Sequence, residues 1–203
     1  MLKLRRGLWA LCLALPVPAL ALSTPMIDGR CSEYAELGAV TQTLEHDVQL
    51  WLYQDDDYLW LCMALPELSF GTLDLHIDAP GLDEPRVLHV SAQLGEWPLA
   101  KPEQSPQTPD SPLWWQLRGW TANPMRLNGS EQTDEGPKPR FLPAEAREMQ
   151  FSKNRFGRGD WRIRFDLNAI KGSDGLWHTV QYPLADGEDR PWTTISTLRP
   201  PAS

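Results

Sequence analysis

The sequence predicts an all-β protein, an antiparallel β-sandwich of the jelly-roll-like kind with long loop insertions. Short segments alternate apolar and polar residues, which is the pattern of strands with one buried face, and turn residues separate these segments. No stretch shows the apolar spacing of a long helix, a coiled coil or an internal repeat. Many short strands joined by turns are typical of a sandwich.

The first residues have the layout of a secretory signal peptide. Lys3, Arg5 and Arg6 form a positive start, an apolar run follows over residues 7–15, and Ala19-Leu20-Ala21 is a cleavage pattern of small residues. The apolar run is shorter than the roughly 20 residues that a membrane-spanning helix needs. We therefore expect an exported protein, periplasmic or secreted, without a membrane span.

Cleavage after this pattern divides the chain into a signal peptide, residues 1–21, and a single sandwich domain, residues 22–203, a length that suits one domain. A proline-rich insertion is expected at about 98–112, because proline cannot donate to a strand ladder. The full chain has a formal net charge of −8, and loss of the three basic residues at its start makes the mature chain more acidic. An acidic chain repels phosphate groups, so we expect neither nucleic acid as a partner nor a basic patch that binds membrane surfaces.

The mature chain has two cysteines, Cys31 and Cys62. Export places both in an oxidising compartment, where disulfides persist, so we expect them to form a disulfide. The alternative is a pair of buried thiols.

The clearest local structure is a hairpin. In residues 47–53, Val48, Leu50 and Leu52 share one face, and an acidic turn, Asp55-Asp56-Asp57, follows. Residues 58–65 then alternate again. Further strands are predicted over residues 72–78, 86–94, 113–121, 148–153, 161–167, 177–183 and 192–198. An irregular segment over residues 24–44, a polar stretch over 128–139, and single helical turns over 33–37 and 143–148 complete the assignment.

The hairpin also resembles a known family. The segment Ile27-Asp28-Gly29, the strand up to Tyr53, the acidic turn and the strand beginning Tyr58-Leu59-Trp60-Leu61 are similar to the opening of the family 9 carbohydrate-binding modules. The late strand Trp161 to Leu167 lies where that family has its closing strand. The resemblance covers residues 27–78 and, more loosely, 161–198. It implies a β-sandwich, and sugar binding in those members that keep stacking tryptophans.

Tryptophan is abundant, with ten in the chain. A sugar site needs exposed aromatic planes beside polar groups, because sugar rings have apolar C–H faces and a rim of hydroxyls. The candidates for ligand binding are Trp51 and Trp60 on the hairpin, Trp114, Trp115 and Trp120 in a second group, and Arg162 and Arg164 on the late strand. The alternative is that these tryptophans pack under loops or in a second apolar layer.

One strand carries candidate metal ligands. Asp74, His76 and Asp78 alternate and therefore face the same side, and carboxylates with an imidazole can bind a divalent cation. The alternative is a solvated outer face, because side chains two apart lie almost 7 Å from each other.

No nucleophile motif and no metalloprotease motif occurs in the sequence, so we expect no enzymatic activity and no resident cofactor. The predicted function is non-catalytic binding of a carbohydrate or a related small ligand. Two alternatives stay open: a haem- or metal-linked electron-transfer module of similar fold, with Met63, Met125, His76 and His89 as candidate ligands, or an interaction domain for another protein of the cell envelope.

Overall fold

The computed structural model describes residues 24–184 and 190–198, so the predicted signal peptide lies outside the described residues. The described strands are β1 (Val40–Thr43), β2 (Gln49–Gln54), β3 (Tyr58–Ala64), β4 (Thr72–Asp78), β5 (Arg86–Val90), β6 (Leu94–Pro98), β7 (Trp120–Ala122), β8 (Leu127–Thr133), β9 (Gly136–Phe141), β10 (Ala146–Ser152), β11 (Asp160–Lys171), β12 (Trp177–Tyr182) and β13 (Thr193–Ser196). One short helix, α1 (Lys153–Phe156), and two 3-10 turns (Glu45–Asp47 and Pro102–Gln104) accompany them.

The strands form two antiparallel sheets that pack face to face. The first sheet has the order β1-β2-β3-β10-β7, and the second has the order β12-β11-β4-β5-β6, with β13 also pairing with β11. Strands β8 and β9 form a separate two-stranded hairpin. The predicted all-β sandwich is confirmed. No helix among the described residues is long and apolar enough to cross a membrane.

The core lies between the two sheets and follows the alternation of the sequence. In β3, Leu59 and Leu61 face inward, and in β11 Trp161 and Phe165 do so; all four are buried. Cross-strand pairing aligns Phe165 with Leu75 of β4, so that apolar residues meet across the strands. Burying one such side chain contributes about 1.5–3 kcal/mol, which makes this layer the main source of stability.

The outer face of the first sheet is covered by the N-terminal segment, which we define as residues 24–39. Trp51, Cys62 and Glu148 lie opposite one another on β2, β3 and β10, and directly opposed residues share a face of the sheet. Cys62 forms the predicted disulfide with Cys31 of the N-terminal segment, and this prediction is therefore confirmed. A second apolar cluster, with Tyr34 and Trp60 fully buried, fills the space beneath the segment.

Glu148 holds the same segment by hydrogen bonds. Its carboxylate accepts the Tyr34 hydroxyl at 2.8 Å and the backbone N–H groups of Asp28 at 2.9 Å and Gly29 at 3.0 Å. Burial raises the pKa of Glu148 to about 7, although each of these three donors favours the ionised form. The turn of the Ile27-Asp28-Gly29 motif is thus attached directly to the sheet.

Two of the strand predictions need correction. Residues 113–121 were expected to form a strand, but only Trp120–Ala122 does so, because Gly119 and Trp115 have positive φ values of 65° and interrupt extended backbone. Residues 128–139 were expected to be a polar loop, but they form most of the β8–β9 hairpin. Its strands are exposed, so no apolar alternation marks them in the sequence.

The prediction also missed strands and misplaced boundaries. Strand β1 was assigned to an irregular segment because all four of its residues are exposed. The strand predicted over 86–94 ends at Val90, and a separate strand, β6, follows it. The sequence did not reveal β6 because it contains Gly95 and Pro98, and both residue types are uncommon inside strands. Residues 146–152 form one strand, β10, where a helical turn and a short strand were expected.

The disulfide should stabilise the fold by constraining the unfolded chain. Its sequence separation of 31 corresponds to a loss of about 3–4 kcal/mol in the free energy of unfolding when Cys31 and Cys62 are both replaced by alanine. Urea unfolding followed by tryptophan fluorescence measures this difference. Reduction of the unmodified protein should give the same loss, and a double variant as stable as the oxidised protein would contradict the prediction.

Glu148 should make stability fall as pH rises. The carboxyl group has a pKa of about 7 when folded but near 4.3 when unfolded, so the unfolded state releases its proton first as pH increases. We expect the free energy of unfolding to decrease between about pH 4.5 and 7, by an amount of the order of 1–3 kcal/mol. The contribution of Glu148 is fully present below about pH 4.5 and lost above about pH 7.

Two variants separate Glu148 from other acids in this experiment. Glu148→Gln should remove this slope from a plot of urea-unfolding free energy against pH. Glu145→Gln changes a nearby carboxylate that is 74% exposed and should keep the slope. Equal profiles for the two variants would contradict the assignment.

Candidate functional site

The outer face of the second sheet collects charged and histidine side chains from β4, β5 and β11. We call it the polar face, and its strand residues are Asp74, His76, Asp78, Val87, His89, Gly95, Trp97, Arg162, Arg164 and Asp166. The register explains this grouping. Asp166 pairs with Asp74, which pairs with His89, and Arg164 pairs with His76, so neighbouring strands place these side chains in rows across the sheet.

One end of the polar face is aromatic. His89 lies between two tryptophans, with ring centroids 5.9 Å from Trp97 and 5.6 Å from Trp114. The Nδ1 atom of His89 is 2.7 Å from a carboxylate oxygen of Asp74, whose side chain is 33% exposed. Both tryptophans are half-buried. This end therefore combines aromatic planes with a carboxylate acceptor.

Trp114 reaches the face from the segment that directly follows the proline-rich insertion. Its indole N–H donates to the carbonyl of Thr108 at 2.9 Å, and the next residue, Trp115, donates its backbone N–H to Leu94 of β6 at 2.8 Å. Gly95 leaves room for the ring, because a Cβ atom at that position would lie 2.7 Å from a ring atom of Trp114. The insertion is thus fastened along the edge strand β6.

The other end of the polar face is basic and also contains a tryptophan. The guanidinium of Arg164 lies 4.6 Å from the ring centroid of Trp192, and that of Arg162 lies 5.5 Å from it. Arg162 also pairs with Asp78. Arg190 forms an ion pair with Asp166 at 2.6 Å. Two of the three arginines at this end are paired with aspartates, and Arg164 is left as the one guanidinium without an ion-pair partner among the described residues.

His76 lies between the two ends as a neutral acceptor. Arg164 donates from Nε to the His76 Nδ1 atom at 3.1 Å, which requires an unprotonated nitrogen there. Burial lowers the pKa of His76, and the positive charges of Arg164 and Arg190 lower it further. The imidazole therefore holds Arg164 in place.

The structure separates the predicted ligand-binding tryptophans. Trp60 is fully buried and Trp120 is 5% exposed, so neither presents a plane to a ligand. Trp120 instead donates its indole N–H to Glu96 at 2.9 Å. Trp51 is half-buried against the cluster beneath the N-terminal segment. Trp115 is 51% exposed but makes no ring contact with the described part of the polar face.

The remaining predicted binding residues do come together. Trp114, Arg162 and Arg164 all lie on the polar face, Trp114 at the aromatic end and both arginines at the basic end. Alternation along β11 predicted that the arginines share a face. Strand order, which the sequence does not show, determines that they share it with His89 and Asp74.

The candidate metal ligands share a face as predicted, but each engages a different partner. Asp74 contacts His89, His76 accepts from Arg164, and Asp78 pairs with Arg162. Within residues 24–184 and 190–198, no group of three or more His, Cys, Asp or Glu side chains is arranged to hold a metal ion. Hydrogen bonds and an ion pair across the strands thus account for these residues.

The candidate haem or metal ligands of the electron-transfer alternative are also dispersed. Met63 is fully buried in the core between the sheets, whereas His76 and His89 lie on the opposite side of the second sheet. Met125 is in the connection between β7 and β8. No two of these methionine and histidine side chains form a described contact.

Sequence reasoning missed Trp97 and Trp192 as parts of the face. Trp97 lies between the strand predicted over 86–94 and the proline-rich stretch expected from 98, so the sequence assigned it to neither. Trp192 was predicted to begin the last strand, but β13 begins at Thr193, so alternation does not give the direction of the Trp192 side chain. For Trp97, the available signal was its spacing of two from Gly95, which puts both on one face of any strand containing them.

No protein-family model matches the chain, and comparisons with curated proteins and with solved structures likewise find no match. The resemblance to family 9 carbohydrate-binding modules therefore rests on the sequence features of the hairpin and the late strand.

Replacing Gly95 by alanine tests whether Trp114 packs on the polar face. The added Cβ would overlap the ring, so we expect Trp114 to move into solvent, with a red shift in tryptophan emission and a loss of roughly 1 kcal/mol in the free energy of unfolding. In a Trp114→Ala background, Gly95→Ala should have little further effect. Equal effects in both backgrounds would show that the ring does not lie over Gly95.

Proposed function

We propose that this protein is an exported, non-catalytic binding module that binds carbohydrate on its polar face. The observation that carries the proposal is the contact of His89 with the rings of Trp97 and Trp114 and with the carboxylate of Asp74 on one sheet face. The tryptophans supply apolar planes for sugar C–H groups. The carboxylate and imidazole supply hydrogen-bonding groups for the hydroxyls at the ring edge.

The chemistry of the rest of the face supports a neutral polar ligand. Arginine donors and aspartate acceptors are present in pairs, as in Arg190 with Asp166 and Arg162 with Asp78. A ligand with many hydroxyls can exchange hydrogen bonds with both kinds of group. The overall acidic chain disfavours polyanions as ligands.

The arrangement of carboxylates favours recognition over catalysis. Asp74 and Asp166 are cross-strand neighbours, but Asp74 contacts His89, and Asp166 contacts Gln181 and Arg190. A general acid or base must be free to exchange a proton with a substrate. Carboxylates engaged within the face are better suited to holding side chains in position.

Export is supported by the signal-like start of the sequence and by the disulfide. Disulfides persist in oxidising compartments such as the periplasm or the extracellular space. The resemblance to family 9 carbohydrate-binding modules points to the same class of ligand. A periplasmic or secreted sugar-binding module is consistent with these features together.

Affinity electrophoresis in gels containing soluble polysaccharides, with a glycan array to find the ligand, tests the proposal. Trp97→Ala and Trp114→Ala should each weaken binding by about tenfold or more, as expected for central aromatic contacts. Trp115→Ala is the matched control, because it removes the exposed tryptophan next to Trp114 in the chain and should leave affinity unchanged. Absence of any glycan ligand, or full binding by Trp114→Ala, would overturn the proposal.

A further inference from the structure

An apolar groove of about 70 Å³ opens where the edges of the two sheets meet, between β1 of the first sheet and β12 and β13 of the second. Two hydrogen bonds join these edges. The Tyr182 hydroxyl donates to Oε1 of Gln42 at 3.2 Å, and Nε2 of Gln54 donates to the carbonyl of Ser196 at 3.1 Å. Aliphatic side chains from both sheets line the groove: Leu50, Leu52, Leu61, Ile163 and Ile195.

The groove leads from the surface into the core between the sheets. Leu61 and Ile163 are buried core residues, whereas Val40, on the β1 side of the groove, is 69% exposed. The volume is well below the roughly 300–1,000 Å³ of pockets for drug-sized ligands. The groove therefore suits one apolar side chain better than a separate small molecule.

Strand β1 is the edge of the first sheet, and no described strand pairs with its outer side. The backbone N–H of Leu44 donates to the carbonyl of Val48 at 2.8 Å, which continues the pairing of β1 with β2 by one residue. Backbone groups of an antiparallel strand alternate in direction, so Val40 and Gln42 direct theirs to β2. Thr41 directs its N–H and C=O groups outward, as does Thr43, and these groups can pair with a further strand.

The alternation of β1 also determines where the side chains of an added strand would lie. Val40 pairs with Leu52 and Gln42 with Leu50, so the side chains of Val40 and Gln42 are on the groove side of the sheet. A strand beside β1 places every second side chain on that same side. Backbone pairing and apolar insertion are therefore possible at the same time.

The charges around β1 indicate what kind of strand fits. The four residues of β1 carry neither charge nor proline, two features that keep other chains from pairing with an exposed edge. Exposed acidic residues lie at both ends, Glu36 before the strand and Glu45 and Asp47 after it. They favour a partner with basic ends. They disfavour a second copy of β1, because pairing in either direction brings acidic ends together.

We propose that the outer edge of β1 binds an extended peptide segment of another protein, with basic residues at both ends and an apolar side chain in the groove. The peptide pairs with the outward backbone groups of Thr41 and Thr43. In this mode of recognition, main-chain hydrogen bonds supply affinity and pockets for alternate side chains supply specificity. The edge is independent of the proposed sugar site, because none of these residues belongs to the polar face.

A labelled peptide of the sequence Lys-Lys-Val-Thr-Val-Thr-Val-Lys-Lys tests the proposal by fluorescence anisotropy with the mature protein. We expect saturable binding of one peptide per chain, weakened by added salt. A peptide with glutamate in place of lysine, and one with serine in place of valine, should each bind about tenfold more weakly or not at all. No saturable binding of the first peptide, or equal binding of all three, would overturn the proposal.

Variants of β1 locate the binding edge. Thr41→Pro removes an outward N–H donor without removing a hydrogen bond to β2, and proline is tolerated at such edge positions. This variant should bind the valine peptide about tenfold more weakly. Thr41→Ala is the matched control, because it keeps the donor and should bind as the unmodified protein does. Equal affinities of the two variants would contradict the assignment.

Val40→Ser provides a second test that leaves the backbone donors in place. Because Val40 is mostly exposed, the replacement should not change the stability of the fold, but it removes apolar surface beside the groove. We expect several-fold weaker binding of the valine peptide. Unchanged affinity would count against insertion of an apolar side chain beside Val40.

Two controls exclude other occupants and other sites. Analytical ultracentrifugation of the protein alone should show no self-association; a dimer that Thr41→Pro dissociates would assign the edge to a second copy and overturn the proposal. Trp114→Ala changes the polar face and should bind the peptide as tightly as the unmodified protein. Loss of peptide binding in Trp114→Ala would place the peptide on the polar face. Failure of the sugar-binding test leaves this prediction unaffected.

Discussion

The attachment of the N-terminal segment to the outer face of the first sheet is the constraint on which the rest of the structure depends. A sandwich buries only the inner faces of its sheets, yet β3 places Trp60 and Cys62 on the outer face. Covering that face requires another piece of chain. The disulfide and the buried Glu148 hold the N-terminal segment there, one by a covalent bond and the other by three hydrogen bonds. The same attachment forms one wall of a cleft of about 210 Å³, through residues 28–30.

The charges of the polar face are compensated mainly within the face. Asp78 pairs with Arg162 and Asp166 with Arg190. Asp74 contacts His89, and Arg164 donates to the neutral His76. Such a surface is suited to a neutral ligand that exchanges hydrogen bonds. The buried guanidinium of Arg147 is held differently, by the backbone carbonyls of Gly71 and Ala146.

Much of the fold could be predicted from the sequence because alternation is a local property. Strand β4 was predicted with the observed boundaries, and the hairpin of β2 and β3 with small shifts at its ends. Alternation fails where both faces of a strand are exposed, as in β1 and the β8–β9 hairpin. It also fails where glycine and proline occur inside a strand, as in β6.

The candidate site was only partly predictable for a related reason. The faces of Arg164 and His76 followed from spacing, but their contact required β11 to lie beside β4, although 88 positions separate the two residues. Trp60 and Trp120 were indistinguishable from surface tryptophans by sequence, because their burial depends on the N-terminal segment and on Glu96.

The sequence by itself determined the fold class, the inward and outward faces of the main strands, and the cysteine pair available for a disulfide. These properties depend on residue type and short-range spacing. The tertiary structure decided which tryptophans are buried, which charges are compensated and where a cleft remains. Those properties depend on contacts between segments far apart in the chain, and no local pattern records which segments become neighbours.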